Sequence, residues 1–326
     1  MITVRGRRNE GKKKGGTTAV DKIIAGRTIT RLRLALAPRL RELKFDLYLM
    51  SKSLTSIVGL SLLIILIIVA LFPHWFATPS GADPIQMPLN LAYRQPLPPG
   101  TAGYLLGSGE NGADYYYGII WGAQTSMKFA IIVVGISVLI GTILGLIAGY
   151  KGGVIDEILM RVTDVFLSIP SLILVMAIAA VLVRNLESTQ LALIAVWWSG
   201  YTRLIRGQVL SVRENIYVDA ARAAGTSETR IMLSHVLPNS WQPMVVQATM
   251  DMGTVVLVLA GLSYLGLGAP HGYSEWGSMI QSGQSYLVAG AWWMIVFPGI
   301  ALVLFVLAFN LLGDGLRDIL DPRMRR

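Results

Sequence analysis

The chain has three histidines, His74, His235 and His271, and none has a partner at metal-ligand or triad spacing. It has no cysteine, which removes thiolate ligands, thiol nucleophiles and disulfides together. Gly6 and Gly11-Lys12 match most of a phosphate-loop pattern. Lys13 stands where Ser or Thr is required, however, and no strand precedes it, so the match is chance. No catalytic constellation emerges. Two features remain. Asp251 lies inside an apolar run, where an ionisable group is functional by default. It can line a pathway or a contact with a partner helix, and a local hydrogen-bonding role fits equally well. Nothing resembles a relay of buried acids, so a proton-coupled secondary carrier has little support. The second feature is the polar stretch 219–238, Asp-Ala-Ala-Arg-Ala-Ala-Gly-Thr-Ser-Glu-Thr-Arg-Ile-Met-Leu-Ser-His-Val-Leu-Pro.

The elements that position these residues are apolar. Hydrophobic residues make up 53% of the chain, charged residues 14%, and the mean hydropathy is +0.57. That balance predicts an all-α polytopic membrane protein. Six runs approach the length of a spanning helix: 54–72, about 127–150, about 162–183, about 189–205, about 244–267 and 291–312. The fourth is the weakest. Lysine and arginine cluster before the first run, in the 206–243 loop and in the tail, with only Arg94, Lys128 and Arg184 on the other side. The positive-inside rule therefore predicts a multi-pass cell-membrane protein with cytoplasmic N and C termini. The net charge of +9 is first a topology signal. The first run begins too late and is too long for a signal peptide, and is expected to be an uncleaved anchor.

The predicted organisation follows. Residues 1–38 form a basic arm with the composition of a disordered segment, drawn to anionic lipid rather than to nucleic acid. Residues 39–53, with Leu40, Leu43, Leu47 and Met50 at helical spacing, form an amphipathic interfacial helix. The first span (54–72) leads to an external loop, 73–126, rich in Pro and Gly, whose Tyr104, Tyr115, Tyr116, Tyr117 and Trp121 supply surface for an ordered cap. Residues 127–323 form the core, with the polar loop 206–243 inside it. Gly135, Gly141, Gly145 and Gly149 run along the second span and suit close helix packing. Arg161 and Asp164 can pair one turn apart, and Arg203 and Arg206 can snorkel at the end of the fourth span.

The polar loop reads as helix, glycine, helix. The alanine-rich 216–224 is a good helix former, and Gly225 sits where a helix-ending glycine belongs. Thr226 or Ser227 can cap a second helix running to about Leu237, which Pro238 closes. Ala220, Ala221, Ala223 and Ala224 make a slim helix able to seat in a groove, with Arg222 and Arg230 free to meet acidic residues of a partner. His235 is expected to satisfy backbone groups near its helix end. A merely structural hairpin is the plainer reading.

This stretch resembles the "EAA" loop of ATP-binding-cassette (ABC) importer permeases: Glu-Ala-Ala, a Gly four residues after the second Ala, then Leu-Pro. Asp219 takes the glutamate position, followed by Ala220, Ala221, Gly225 and Leu237-Pro238. Ser234-His235-Val236-Leu237-Pro238-Asn239 is similar to the form usual in the dipeptide/oligopeptide/nickel permeases. Leu262-Ser263-Tyr264-Leu265-Gly266-Leu267-Gly268 and Glu275-Trp276-Gly277 resemble further elements of that family, and Asn310-Leu311-Leu312-Gly313-Asp314-Gly315-Leu316-Arg317-Asp318 with Asp321-Pro322-Arg323 resembles the ending of its second permease subunit. Two places depart from it. Gly107-Ser108-Gly109 and Gly112-Ala113-Asp114 lack one acid and one arginine of the family's outer-loop element, and Leu259 stands where the family often carries an acid shortly before its Leu-Ser-Phe element.

The resemblance implies a six-span permease that is not itself an enzyme. It would pair with a second permease, dock two ATP-binding subunits and receive substrate from an extracellular binding protein. ATP and Mg would be bound by the ATPase subunits, with no cofactor in this chain. Asp219, Ala220, Ala221, Arg222, Gly225, Arg230, His235, Leu237 and Pro238 would couple the chain to the ATPases. Di- or oligopeptides are the implied substrates, with cellobiose-like oligosaccharides or nickel complexes as alternatives.

Overall fold

Ser53 opens the first helix, α1 (Leu54–Leu71), by accepting the Ser56 N–H on its hydroxyl at 3.4 Å. From there a computed structural model describes residues 53–320, so the basic arm, nearly all of the amphipathic stretch and the end of the tail lie outside the described residues. A single turn, α2 (Pro73–Phe76), follows α1. The described residues are helices joined by turns, with three isolated β-bridges and no strand, as expected for an all-α chain.

The second helix of spanning length, α3 (Tyr115–Lys151), starts well before the expected residue 127. Asp114 is the reason: its carboxylate accepts the N–H groups of Tyr116 at 2.9 Å and Tyr117 at 3.3 Å. With 37 residues it is about 55 Å long, far more than the hydrocarbon core needs. The expected outer loop 73–126 therefore ends at Asp114.

The expected third span is broken. The chain forms α4 (Gly153–Ser168) and α5 (Ser171–Val181), bent by 87°. Pro170 is the cause: it drives Ile169 to φ −99, ψ 133, out of the helical region. Asn185 then caps α6 (Leu186–Arg213) by accepting the Ser188 N–H at 2.7 Å. This helix continues past the expected residue 205, so the polar element is 214–241 rather than 206–243. After it come α10 (Gln242–Tyr264), α11 (Trp276–Gln284) and α12 (Trp293–Leu320).

By length and hydropathy, α1, α3, α10 and α12 can each cross a membrane, and the bent pair α4–α5 can make a fifth span. The more polar α6 lies along α3 instead of standing apart. Glycine sets that closeness. A Cβ at Gly145 would sit 2.5 Å from the Thr202 carbonyl oxygen, and one at Gly149 would sit 2.9 Å from the Val209 Cβ. Gly141 meets Tyr201 in the same way, whereas Gly135 faces open space. Three of the four glycines are therefore the α3–α6 seam.

At the Tyr115 end of α3 the loops form a packed cap. Tyr117 donates to the Pro84 carbonyl at 2.8 Å, Trp121 Nε1 to Ala77 at 3.1 Å, Tyr115 to Met279 at 3.0 Å and Trp293 Nε1 to Ser108 at 3.0 Å. Glu275, fully buried, caps α11 through the N–H groups of Gly277 and Ser278. Burial pushes the carboxyls of Asp114 and Glu275 up from the usual range, and the backbone N–H groups each accepts draw them part of the way back.

Candidate functional site

The polar element lies at the other end of α3. Asn215 starts it, its Nδ2 donating to the Val212 carbonyl at 3.0 Å, and α7 (Ile216–Ala223) follows. The helix ends as the sequence predicts. Gly225 has φ +75, its N–H donates to Arg222 O at 3.0 Å, and the Thr226 N–H donates to Ala221 O at 3.1 Å. That paired arrangement is a Schellman cap, which the left-handed glycine permits. Ser227 leads the second segment, though its side chain makes no capping bond.

The second segment does not close at Pro238. It runs as α8 (Glu228–Ile231), a π-helical turn (Met232–Val236) and α9 (Leu237–Ser240). A proline lacks the N–H and crowds the carbonyl four residues earlier, and a widened turn just before it relieves that crowding. Pro238 therefore loosens the helix one turn upstream and lets it continue.

Burial divides this element into two faces. Val218, Ile231 and Val236 are fully buried against Leu146, Ile205 and Val209, with Ala221 and Leu237 partly buried beside them. Asp219, Ala220, Arg222, Gly225, Arg230 and Pro238 are exposed, and so are the apolar Ile216 (87%) and Leu233 (52%). The exposed Ile216 beside the alanines is a feature that the sequence reading, weighing only the alanines, did not single out.

Several charged groups have partners other than those expected. Arg222 is engaged within the element, to Asp219 at 2.9 Å and Glu228 at 3.7 Å, and Glu228 also accepts the Tyr150 hydroxyl from the end of α3. Arg230 is exposed and makes no ion pair among the described residues. The His235 ring makes no hydrogen bond among the described residues; it is the His235 carbonyl that accepts from Asn239. Arg161 pairs with Glu157 at 3.6 Å, while Asp164 pairs with Arg203. Arg206 does not snorkel but holds Asp156 through two bonds, at 2.6 and 2.7 Å, which fix α6 to α4.

Asp251 is the other candidate. Its Oδ2 accepts Tyr201 Oη at 2.6 Å and Trp197 Nε1 at 3.2 Å, and its Oδ1 accepts Gln247 Nε2 at 2.9 Å. It lines a cleft of about 640 Å³ between α6, α10 and the α4–α5 break. Trp197 and Tyr201 are four residues apart on the fourth run, hence on one helix face, and that spacing was a readable signal for a partner group. Among the described residues, no three His, Asp or Glu side chains are placed to hold a metal ion.

Comparison with known proteins agrees with this architecture. Residues 141–326 match the family described as binding-protein-dependent transport system inner membrane components. The chain is 39% identical over 276 residues to the probable D,D-dipeptide transport system permease protein DdpC of Escherichia coli (strain K12), covering 85% of this chain and 90% of that one. It is 38% identical to the dipeptide transport system permease protein DppC of Alkalihalophilus pseudofirmus over 85% of this chain and 88% of that one. The DppC protein of Haemophilus influenzae is 34% identical over 90% of this chain and 98% of its own length. With matches of this extent, the chain belongs to the family of binding-protein-dependent transport system inner membrane components, as a helical, multi-pass permease.

Proposed function

We propose that this chain is one of two permease subunits of an ABC importer for dipeptides, and that the 214–241 element is its handle for the ATPases. The carrying observation is the two-faced construction of that element. Its inner face is buried against α3 and α6, so a push on it moves those helices, and its outer face leaves Ile216, Ala220 and Arg230 exposed for a partner. Asp219, Ala221, Arg222, Gly225, His235, Leu237 and Pro238 shape or flank that face.

A second permease completes the pathway, two ATP-binding subunits bind ATP and Mg, and an external binding protein delivers substrate. In this reading there are six spans, with α4–α5 and α6 as the third and fourth, and both termini are cytoplasmic; Arg206, Arg213, Arg222 and Arg230 near the Tyr150 end of α3 support that orientation. ATP-driven closure of the ATPases shifts the bundle between outward- and inward-facing states, which requires each state to bind its partners differently. The names of the three relatives favour dipeptides over oligosaccharides or nickel complexes.

Reconstitution tests the reading. The four-subunit complex in liposomes, given its binding protein, should accumulate labelled dialanine only with ATP. Uptake by this chain without ATPases, or driven by an ion gradient, would contradict it.

A further inference from the structure

The Asp251 cleft has a composition that the coupling element does not explain. Its walls are Val196, Trp197, Leu204, Phe166 and Ile169, and Asp251 is a carboxylate among them. Its three bonds come from neutral donors: a phenol, an indole and an amide. No cation pairs with it among the described residues. Arg203 lines the same cleft, yet its guanidinium is bound to Asp164 on α4. A carboxylate offers about four acceptor positions, so one remains on Oδ1. A charge in such surroundings is costly until an opposite charge meets it. A cation seated at the free Oδ1 position would offset that cost, and Trp197 and Tyr201 border the same cleft. Its volume suits a small ligand.

We propose that Asp251, with Trp197, Tyr201 and Gln247, binds the terminal ammonium group of the peptide in transit. This rests on the dipeptide reading above. Gln247 also borders a second cleft, lined by Gln208, Asn239, Gln242 and Arg317. Side-chain amides there match a peptide's backbone groups, and Arg317 matches its carboxylate, so an onward path has the right chemistry.

The test compares dialanine with N-acetyl-dialanine in the reconstituted complex, with the binding protein saturated by each so that delivery cancels. In the parent, acetylation slows import about tenfold, the loss of one charge-assisted hydrogen bond. Asp251→Asn slows dialanine by a similar factor and moves both peptides at one rate, while ATP hydrolysis stimulated by loaded binding protein persists. A variant that slows both peptides equally, or neither, overturns the site. A parent that imports neither peptide overturns the dipeptide reading instead. Should Asp251→Asn not assemble, photolabelling of the parent decides: a diazirine-bearing alanyl peptide must mark Trp197, Tyr201 or Gln247, and marks found only elsewhere refute the proposal.

Discussion

The two ends of α3 are held by opposite means. At Tyr115 the cap is fixed by hydrogen bonds from aromatic side chains to loop carbonyls and by the buried Glu275, so these polar groups are satisfied inside the protein. At Tyr150 the element 214–241 is held by three fully buried apolar anchors and one charge network, while Asp219, Ala220, Gly225, Arg230 and Ile216 face outward. The first end is built to keep a shape. Under the proposed function the second is the end that is pushed, with a few apolar anchors to transmit a displacement while the outer face remains available. In that reading the seam at Gly141, Gly145 and Gly149 joins α3 to α6 beside the pushed end, so that the two helices act as one lever.

Substitutions can break that contrast in a graded way. The largest effect is expected at the seam. Gly145→Leu forces a side chain into the Thr202 backbone and should cost about 3 kcal/mol or more, seen as a lower unfolding midpoint of the purified complex. Gly135→Ala, in open space, should stay within about 1 kcal/mol of the parent. Next comes the anchor: Ile231→Ala removes a fully buried side chain and should cost about 2 kcal/mol, with faster hydrogen exchange over 214–241 and an unaltered cap. A uniform rise in exchange across both ends would erase the distinction drawn between them.

A smaller effect is expected at Gly225→Val. No neighbour lies within 4 Å of a Cβ there, so the penalty is backbone strain at φ +75, about 1–2 kcal/mol. The complex should assemble and hydrolyse ATP with import reduced. Smallest in stability is Ile216→Ser, within about 0.5 kcal/mol of the parent because the side chain is already exposed. Its effect should fall on ATP-coupled import alone, and unchanged import would remove Ile216 from the docking face.

Much of this was legible in the residues. Long apolar runs gave α1, α3, α10 and α12, and the Ala-Ala-Gly grammar gave the helix end at Gly225, since both signals are local. The misses have physical reasons. Pro170 breaks the third run, although hydropathy averaging passes over a single proline. Pro238 was read as a stop because a π-helical turn, which accommodates a proline, has no residue signature of its own. The Arg206–Asp156 and Arg203–Asp164 pairs join residues far apart in the chain, so they depend on how α4 packs on α6. The bonds around Asp251 are of the same kind.

The most direct test of the lever uses the absence of cysteine, which makes an introduced thiol unique in the chain. Ala220→Cys, on the exposed face of α7, should cross-link to a thiol placed on the ATPase surface, with a yield that changes between ATP-bound and nucleotide-free states. Failure to cross-link to any ATPase position in either state, in a complex that still imports dipeptide, would contradict the account.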